Sequence, residues 1–185
     1  MLKTLFSGQG AEALAWIAVM TAALVAVFLL LRILRPQTRG SDETWILVDG
    51  SNVMHWQDNM ARLQPVRETV AFLKSLGYVP GVVFDANAGW KLEGRYLHDG
   101  DFARRLDLGT RQVMVVPKGT QADPFLLTTA REFGARIVTN DRFRDWAEAH
   151  PEVKEPGFLI RGGYRNTGEF WLAEVAPLAT ARAAS

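Results

Sequence analysis

Four short apolar runs constrain this chain more than any other feature: Trp45–Val48, Gly81–Phe84, Val113–Val116 and Arg136–Thr139. Each is β-rich, each ends in polar or turn residues, and none shows the period-two alternation of a strand with one wet face. That pattern predicts parallel strands buried on both sides. Helical patterns separate the runs. Gln64–Leu76 has Pro65 at an early helical position, places Val66, Val70 and Leu73 on one stripe, and stops at Gly77. Pro124–Phe133 follows Asp123, buries Phe125, Leu126 and Ala130 or Phe133, and stops at Gly134. A third helix is expected over Arg142–Ala149, ending before Pro151. The charged stretch Trp90–Gly109 predicts a loop with a short helix, and Phe158–Arg161 and Glu169–Leu172 predict two strands around a glycine-containing loop. Strand–helix alternation of this kind implies an α/β sandwich with right-handed crossovers, in which ligands bind beyond the carboxyl ends of the strands.

The first forty residues have a different character. Ala13–Leu31 is nineteen residues without a charge, a helix of roughly 28 Å at ~1.5 Å per residue against a hydrocarbon core of ~30 Å. Arg32, Arg35 and Arg39 follow directly, so the positive-inside rule puts the C-terminal side in the cytoplasm. The rival reading, a cleaved signal peptide, lacks a small-x-small cleavage site within Leu31–Gly40. The expected organisation is a short segment 1–12, a transmembrane helix 13–34, a linker 35–44, a folded domain 45–175 and a tail 176–185. The formal net charge of +1 averages these pieces. Four cations and one acid fall in residues 1–40, so the remainder is slightly acidic and any polyanion site must be a local patch. The chain has no cysteine, which excludes disulfides and thiolate zinc sites, and its three histidines are too scattered for a local metal motif.

Acids collect at the strand ends. Asp49 closes the first run, Asp85 the second and Asp141 the fourth; Asp123 lies in the loop after the third, and Asp145 follows Asp141 by one expected helical turn. Singly each has an ordinary explanation. Asp123 and Asp141 are natural helix caps, and Asp49-Gly50 and Asp85-Ala86-Asn87 are ordinary turn chemistry. Together on one rim they would repel unless a cation neutralised them. Hard Mg²⁺ or Mn²⁺ prefers such oxygen ligands and suits phosphodiester hydrolysis.

The segments Val48-Asp49-Gly50-Ser51-Asn52-Val53, Ala122-Asp123-Pro124-Phe125-Leu126 and Thr139-Asn140-Asp141-Arg142-Phe143-Arg144-Asp145 together resemble the NYN ribonucleases of the PIN-like superfamily, of the Regnase type but without its zinc finger. The resemblance covers roughly Trp45 to Leu172. It implies a three-layer α/β/α fold with a mostly parallel sheet, here preceded by one transmembrane helix, and a Mg²⁺- or Mn²⁺-dependent endoribonuclease acting in RNA processing or turnover. It assigns metal ligation and catalysis to Asp49, Asp123, Asp141 and Asp145, and matches Asn52 to the polar position after the first acid; Asp85 at its strand end and Asn140 beside Asp141 are further secondary polar or acidic candidates. Regnase-type enzymes often carry adjacent acids at the third motif, whereas here Ala122 precedes Asp123, which leaves one metal or two open. Lys118, Arg142, Arg144, Arg161 and Arg165 are the expected RNA contacts, and Trp90 with Arg95 a candidate substrate flap. RNA and, through the N-terminal helix, a lipid bilayer are the expected partners; the expected location is a membrane, single-pass, with the C-terminal domain in the cytoplasm. A haloacid-dehalogenase-like phosphatase needs a second acid where Ser51 stands, and the phosphate-loop motif GxxxxGK is missing. The alternatives kept are a non-catalytic, membrane-tethered RNA-binding module and a DNA or flap nuclease of the same fold.

Overall fold

A computed structural model of the chain describes residues 43–173 and 175–178. Five strands make one parallel sheet: β1 Trp45–Asp49, β2 Val79–Phe84, β3 Val113–Val115, β4 Arg136–Val138 and β5 Leu159–Ile160, in the order β3-β2-β1-β4-β5. The central strand pairs Trp45–Asp49 with Val79–Val83 on one side and Ile46–Val48 with Arg136–Val138 on the other. Its side chains divide between two cores. Ile46 and Val48 pack with Val66, Val70 and Leu73 of α2 (Gln64–Ser75) and Phe102 and Leu106 of α4 (Asp99–Leu106). Leu47 packs on the opposite face with Leu126, Leu127 and Ala130 of α5 (Ala122–Phe133). Burial on both faces explains the missing alternation and makes the three-layer sandwich. Each fully buried Leu, Ile or Phe here contributes ~1.5–3 kcal/mol to folding.

Three local expectations need correction. The charged stretch after β2 is mostly helical: α3 (Ala88–Glu93), which ends at the left-handed Gly94, and α4 occupy it, joined by residues 94–98. The Asp101 carboxylate accepts the His98 N–H at 3.0 Å, a start signal that the charged composition masks. The helix expected over Arg142–Ala149 is instead a 3₁₀ turn, Arg144–Trp146, with a second at Pro151–Lys154. Asp141 Oδ1 accepts the Phe143 N–H at 2.9 Å and Phe143 takes a left-handed φ of 47°, so the chain turns before a helix can start. Finally, the late strands do not pair with each other as expected. Leu159–Ile160 joins the main sheet, and the antiparallel hairpin is β6 (Gly162–Tyr164) with β7 (Phe170–Leu172).

The membrane reading also needs correction. Among the described residues no helix is long and apolar enough to cross a membrane. The longest, α2 and α5, have 12 residues each, roughly 18 Å of the ~30 Å required, and both carry charges. The transmembrane helix expected over 13–34 lies outside the described residues. The described residues therefore form the α/β/α domain alone, with no membrane-spanning helix among them, and the lipid-bilayer partner, the membrane localisation and the tethering in either functional reading are withdrawn.

Candidate active site

The strand order fixes where a ligand belongs. From β1 the chain steps outward to β2 and β3, then returns through α5 to β4 on the other side of β1, so the topology switches between β1 and β4. A crevice opens at the carboxyl ends of strands flanking such a switch. Asp49 ends β1 there, and Thr139, Asn140 and Asp141 follow β4.

Asp49 caps the short helix α1 (Gly50–Val53), with Oδ1 accepting the Asn52 N–H at 3.1 Å. Its Oδ2 accepts the hydroxyl of Thr139, fully buried, at 2.9 Å, and the same hydroxyl accepts the Asp141 N–H at 3.0 Å. Gly50 allows the turn: a Cβ there would lie 2.5 Å from Cε1 of the buried Phe84. The Asp49 carboxyl is pushed up to about 6, first by burial, against the opposing bonds from Asn52 and Thr139, and further by the charges of Asp123 and Asp141.

Asp123 stands in the first turn of α5 but does not cap it; Gln121 holds the cap position. Half-buried, its carboxyl is also raised, by burial first and then by Asp141, with the Trp146 indole opposing and Asp145 adding to the rise. Asp141 and Asp145 are exposed. The fold therefore brings these four acids into mutual repulsion from three separate stretches of chain. Asp85 is occupied locally: Oδ1 accepts the Asn87 N–H at 2.7 Å, Oδ2 lies 3.6 Å from Lys91, and its own N–H is held by Ser51 Oγ.

Among the described residues, no three acidic or histidine side chains are arranged to enclose one ion. Mg²⁺ does not require enclosure: it keeps several waters and takes one or two carboxylates together with substrate phosphate. Exposed Asp141, half-buried Asp49 and Asp123, and an all-oxygen donor set in like-charge repulsion fit such a hydrated divalent cation.

An open cleft is lined by Asn52, Asn140, Asp141, Arg142, Arg144 and Asp145. Asn52 Oδ1 accepts both the Asn140 N–H at 2.9 Å and the Trp56 indole N–H at 2.8 Å, so it braces the crevice. Lys118 is exposed in the loop between β3 and α5, and Arg165, in the β6–β7 turn, lies 3.8 Å from Glu169. Arg161 instead bonds to backbone carbonyls of the crevice. Trp90 is exposed on α3, while Arg95 bonds Glu93. Sequence reading missed Thr139 and Trp146, which touch two of the acids. The threonine sits between β4 and Asp141, but a buried hydroxyl shared by two acids leaves no mark in sequence.

Residues 42–156 match the family described as the Zc3h12a-like ribonuclease NYN domain. Among solved structures, a crystal structure of nuclear proteinaceous RNase P 2 from Arabidopsis thaliana superposes with a TM-score of 0.52 at 19% identity, covering 90% of this chain and 37% of that one. A second structure of the nuclear protein-only RNase P 2 of that plant gives 0.53 at 18% identity, covering 91% and 36%. This chain thus spans little more than a third of those proteins, and the likeness is one of fold. No curated protein sequence matches the chain. The match runs through β1, α5 and β4, and so includes Asp49, Asp123, Asp141 and Asp145. The chain belongs to the Zc3h12a-like ribonuclease NYN family, a branch of the PIN-like nucleases.

Proposed function

We propose that the chain is a divalent-metal-dependent endoribonuclease that hydrolyses internal phosphodiester bonds of RNA in processing or turnover. One observation carries the reading. At the switch point of the sheet, the charges of Asp123 and Asp141 raise the proton affinity of buried Asp49, and those of Asp141 and Asp145 raise that of Asp123. Asp49, Asp123 and Asp141 would hold Mg²⁺ or Mn²⁺ together with its waters, no more than two of them in direct contact, with Asp145 as a further ligand or a holder of water. When bound, such a cation neutralises the carboxylates and stabilises negative charge developing on the phosphodiester.

The chain's own residues do the rest. Asp145, exposed on the cleft, accepts an O–H of the attacking water and orients it toward phosphorus. Arg142 and Arg144 line the same cleft and pair with phosphate oxygens on either side of the scissile bond. Lys118 and Arg165 would extend the cationic track along the strand. Asn52 and Asn140 hold the crevice in shape, and Asn52 is the stronger brace because one oxygen anchors two elements.

The test incubates the full chain with single-stranded and stem-loop RNAs in Mg²⁺ or Mn²⁺, with an EDTA control, and maps products on denaturing gels. Internal cuts that stop in EDTA are expected. RNA binding without cleavage would instead support a non-catalytic RNA-binding module, and cleavage that persists in EDTA would remove the acids from the chemistry.

A further inference from the structure

Arg161 has the composition of an RNA contact but not the geometry of one. It follows β5, half-buried, and its Nη1 donates to the carbonyl oxygen of Asp141 at 2.8 Å and of Thr139 at 3.4 Å. It is not among the residues that line the cleft. Its neighbours grip the same segment: Ile160 accepts the Thr139 N–H at 3.0 Å, and Gly162 exchanges two hydrogen bonds with the Asn140 side chain, at 2.8 and 3.3 Å. Residues 160–162 therefore hold residues 139–141 one for one, continuing the β4–β5 ladder past its last strand pair. A second brace comes from the other side. Asn52 holds the Asn140 N–H and the Trp56 indole, and Trp56 packs on Gly162, where a Cβ would overlap it and Leu172. Of these contacts to the turn from outside it, Arg161 alone reaches the main chain of Asp141.

We propose that Arg161 is a positioning residue: its guanidinium clamps the Thr139 and Asp141 carbonyls and so aims the Asp141 carboxylate at the cleft, and it does not touch RNA phosphate. The proposal rests on the reading of Asp141 as a metal ligand. It also makes a segment beyond the family-matched residues 42–156 part of the site. A cation bonded to backbone carbonyls fixes loop shape as outer-shell partners of metal ligands do, and loss of such partners weakens metal binding by about tenfold to a hundredfold.

The experiment compares full-length wild type with Arg161→Met and Arg161→Lys by three readouts, none of which needs cleavage. In metal-free protein, amide hydrogen exchange at Asn140, Asp141 and Phe143 should accelerate about tenfold in Arg161→Met, with the β1 and β2 amides unchanged and Arg161→Lys intermediate. Calorimetric titration with Mn²⁺ should weaken about tenfold in the methionine variant. Binding of a fluorescent single-stranded RNA in EDTA should stay within about twofold of wild type, because no phosphate contact is removed. Lost RNA affinity with unchanged exchange overturns the proposal, as does a variant identical to wild type throughout. Should Arg161→Met fail to fold, the lysine variant decides alone, since it keeps the charge but replaces the rigid planar guanidinium with a shorter, rotatable ammonium. These effects in the variants, with a wild-type chain that cuts no RNA, would sink the nuclease reading and leave the clamp standing.

Discussion

Asp49→Asn should stabilise the metal-free protein, and the size of the gain can be worked from the site. The carboxyl titrates at about 6 in the fold against an ordinary 3.8, so above pH 6 its ionised form costs about 3 kcal/mol relative to the unfolded chain. Asparagine removes the charge and keeps Oδ1 for the Asn52 N–H, but its amide faces the Thr139 hydroxyl where a carboxylate oxygen accepted before. Losing that bond returns ~1 kcal/mol, leaving a net gain of ~2 kcal/mol, or roughly 6 °C in Tm for a domain of this size. The pH dependence has a definite sign. Because the fold binds this proton more tightly than the unfolded chain, wild type loses stability as pH rises from 3.8 to 6 and stays flat above. The mutant is therefore no more stable than wild type at pH 4, where the lost Thr139 bond outweighs the small charge cost, and its advantage grows through that window to a constant ~6 °C from pH 6.5 to 8. Differential scanning calorimetry in EDTA at pH 4, 5, 6 and 7.5 measures it. A mutant no more stable than wild type at pH 7.5, or one whose advantage shrinks as pH rises, would refute the argument that burial and neighbouring acids strain Asp49.

Asp141→Asn should reduce cleavage by at least about a hundredfold with Tm nearly unchanged, because an amide oxygen can still accept the Phe143 N–H; a parallel fall in Tm and activity would make Asp141 a turn residue only. Gly50→Ala should cost ~2–3 kcal/mol in urea unfolding, since its Cβ would sit 2.5 Å from a Phe84 ring stacked on Phe102 at 4.0 Å; a cost under ~0.5 kcal/mol would show that the turn relaxes. Trp146→Phe removes the bond that holds the Asp123 carboxyl down, so the acid limb of the pH–rate profile should move to higher pH; an unmoved limb would take Asp123 out of the rate-determining ionisation. Arg142→Ala with Arg144→Ala should weaken RNA binding and flatten its salt dependence by about 1.4 in log–log slope, roughly 0.7 per lost phosphate contact on single strands; an unchanged slope would place both arginines away from the backbone.

The sheet was legible because burial on both faces writes apolar runs into the sequence, and all four early runs became neighbouring parallel strands. Site residues were legible as types at strand ends, since the topology forces those ends together. What the sequence concealed was local. Asp123 looked like a cap, but α5 begins two residues earlier than expected, at Ala122, because Gln121 has the extended backbone of a cap residue. The helix after β4 failed because a bond from one side chain, Asp141 to Phe143, competes with the first helical turn. Hydrophobic periodicity does not register such a contest. The roles of Thr139 and Arg161 depend on partners far away in sequence, which no spacing rule reveals. The apolar run at 13–31 lies outside the described residues, among which no helix is long and apolar enough to cross a membrane.

The bracing of the crevice has a consequence for how the protein comes into being. Thr139 meets Asp49 across 90 positions and Asn140 meets Asn52 across 88, so these contacts close a loop that contains most of the core. Contacts of such separation form late and slowly, after shorter-range helices and the β1–β2 pairing have reduced the entropy of closure. A growing chain exposes Asp49 long before its partners exist, and every truncation before Thr139 carries at most two of the four acids. During synthesis the acids stay dispersed and unreactive, and repulsion among them is met only once the sandwich is nearly complete. Under the proposed reading, competence to bind a cation is thus a late event of folding, and regain of Mn²⁺ binding after denaturation would read out completion of the whole sheet.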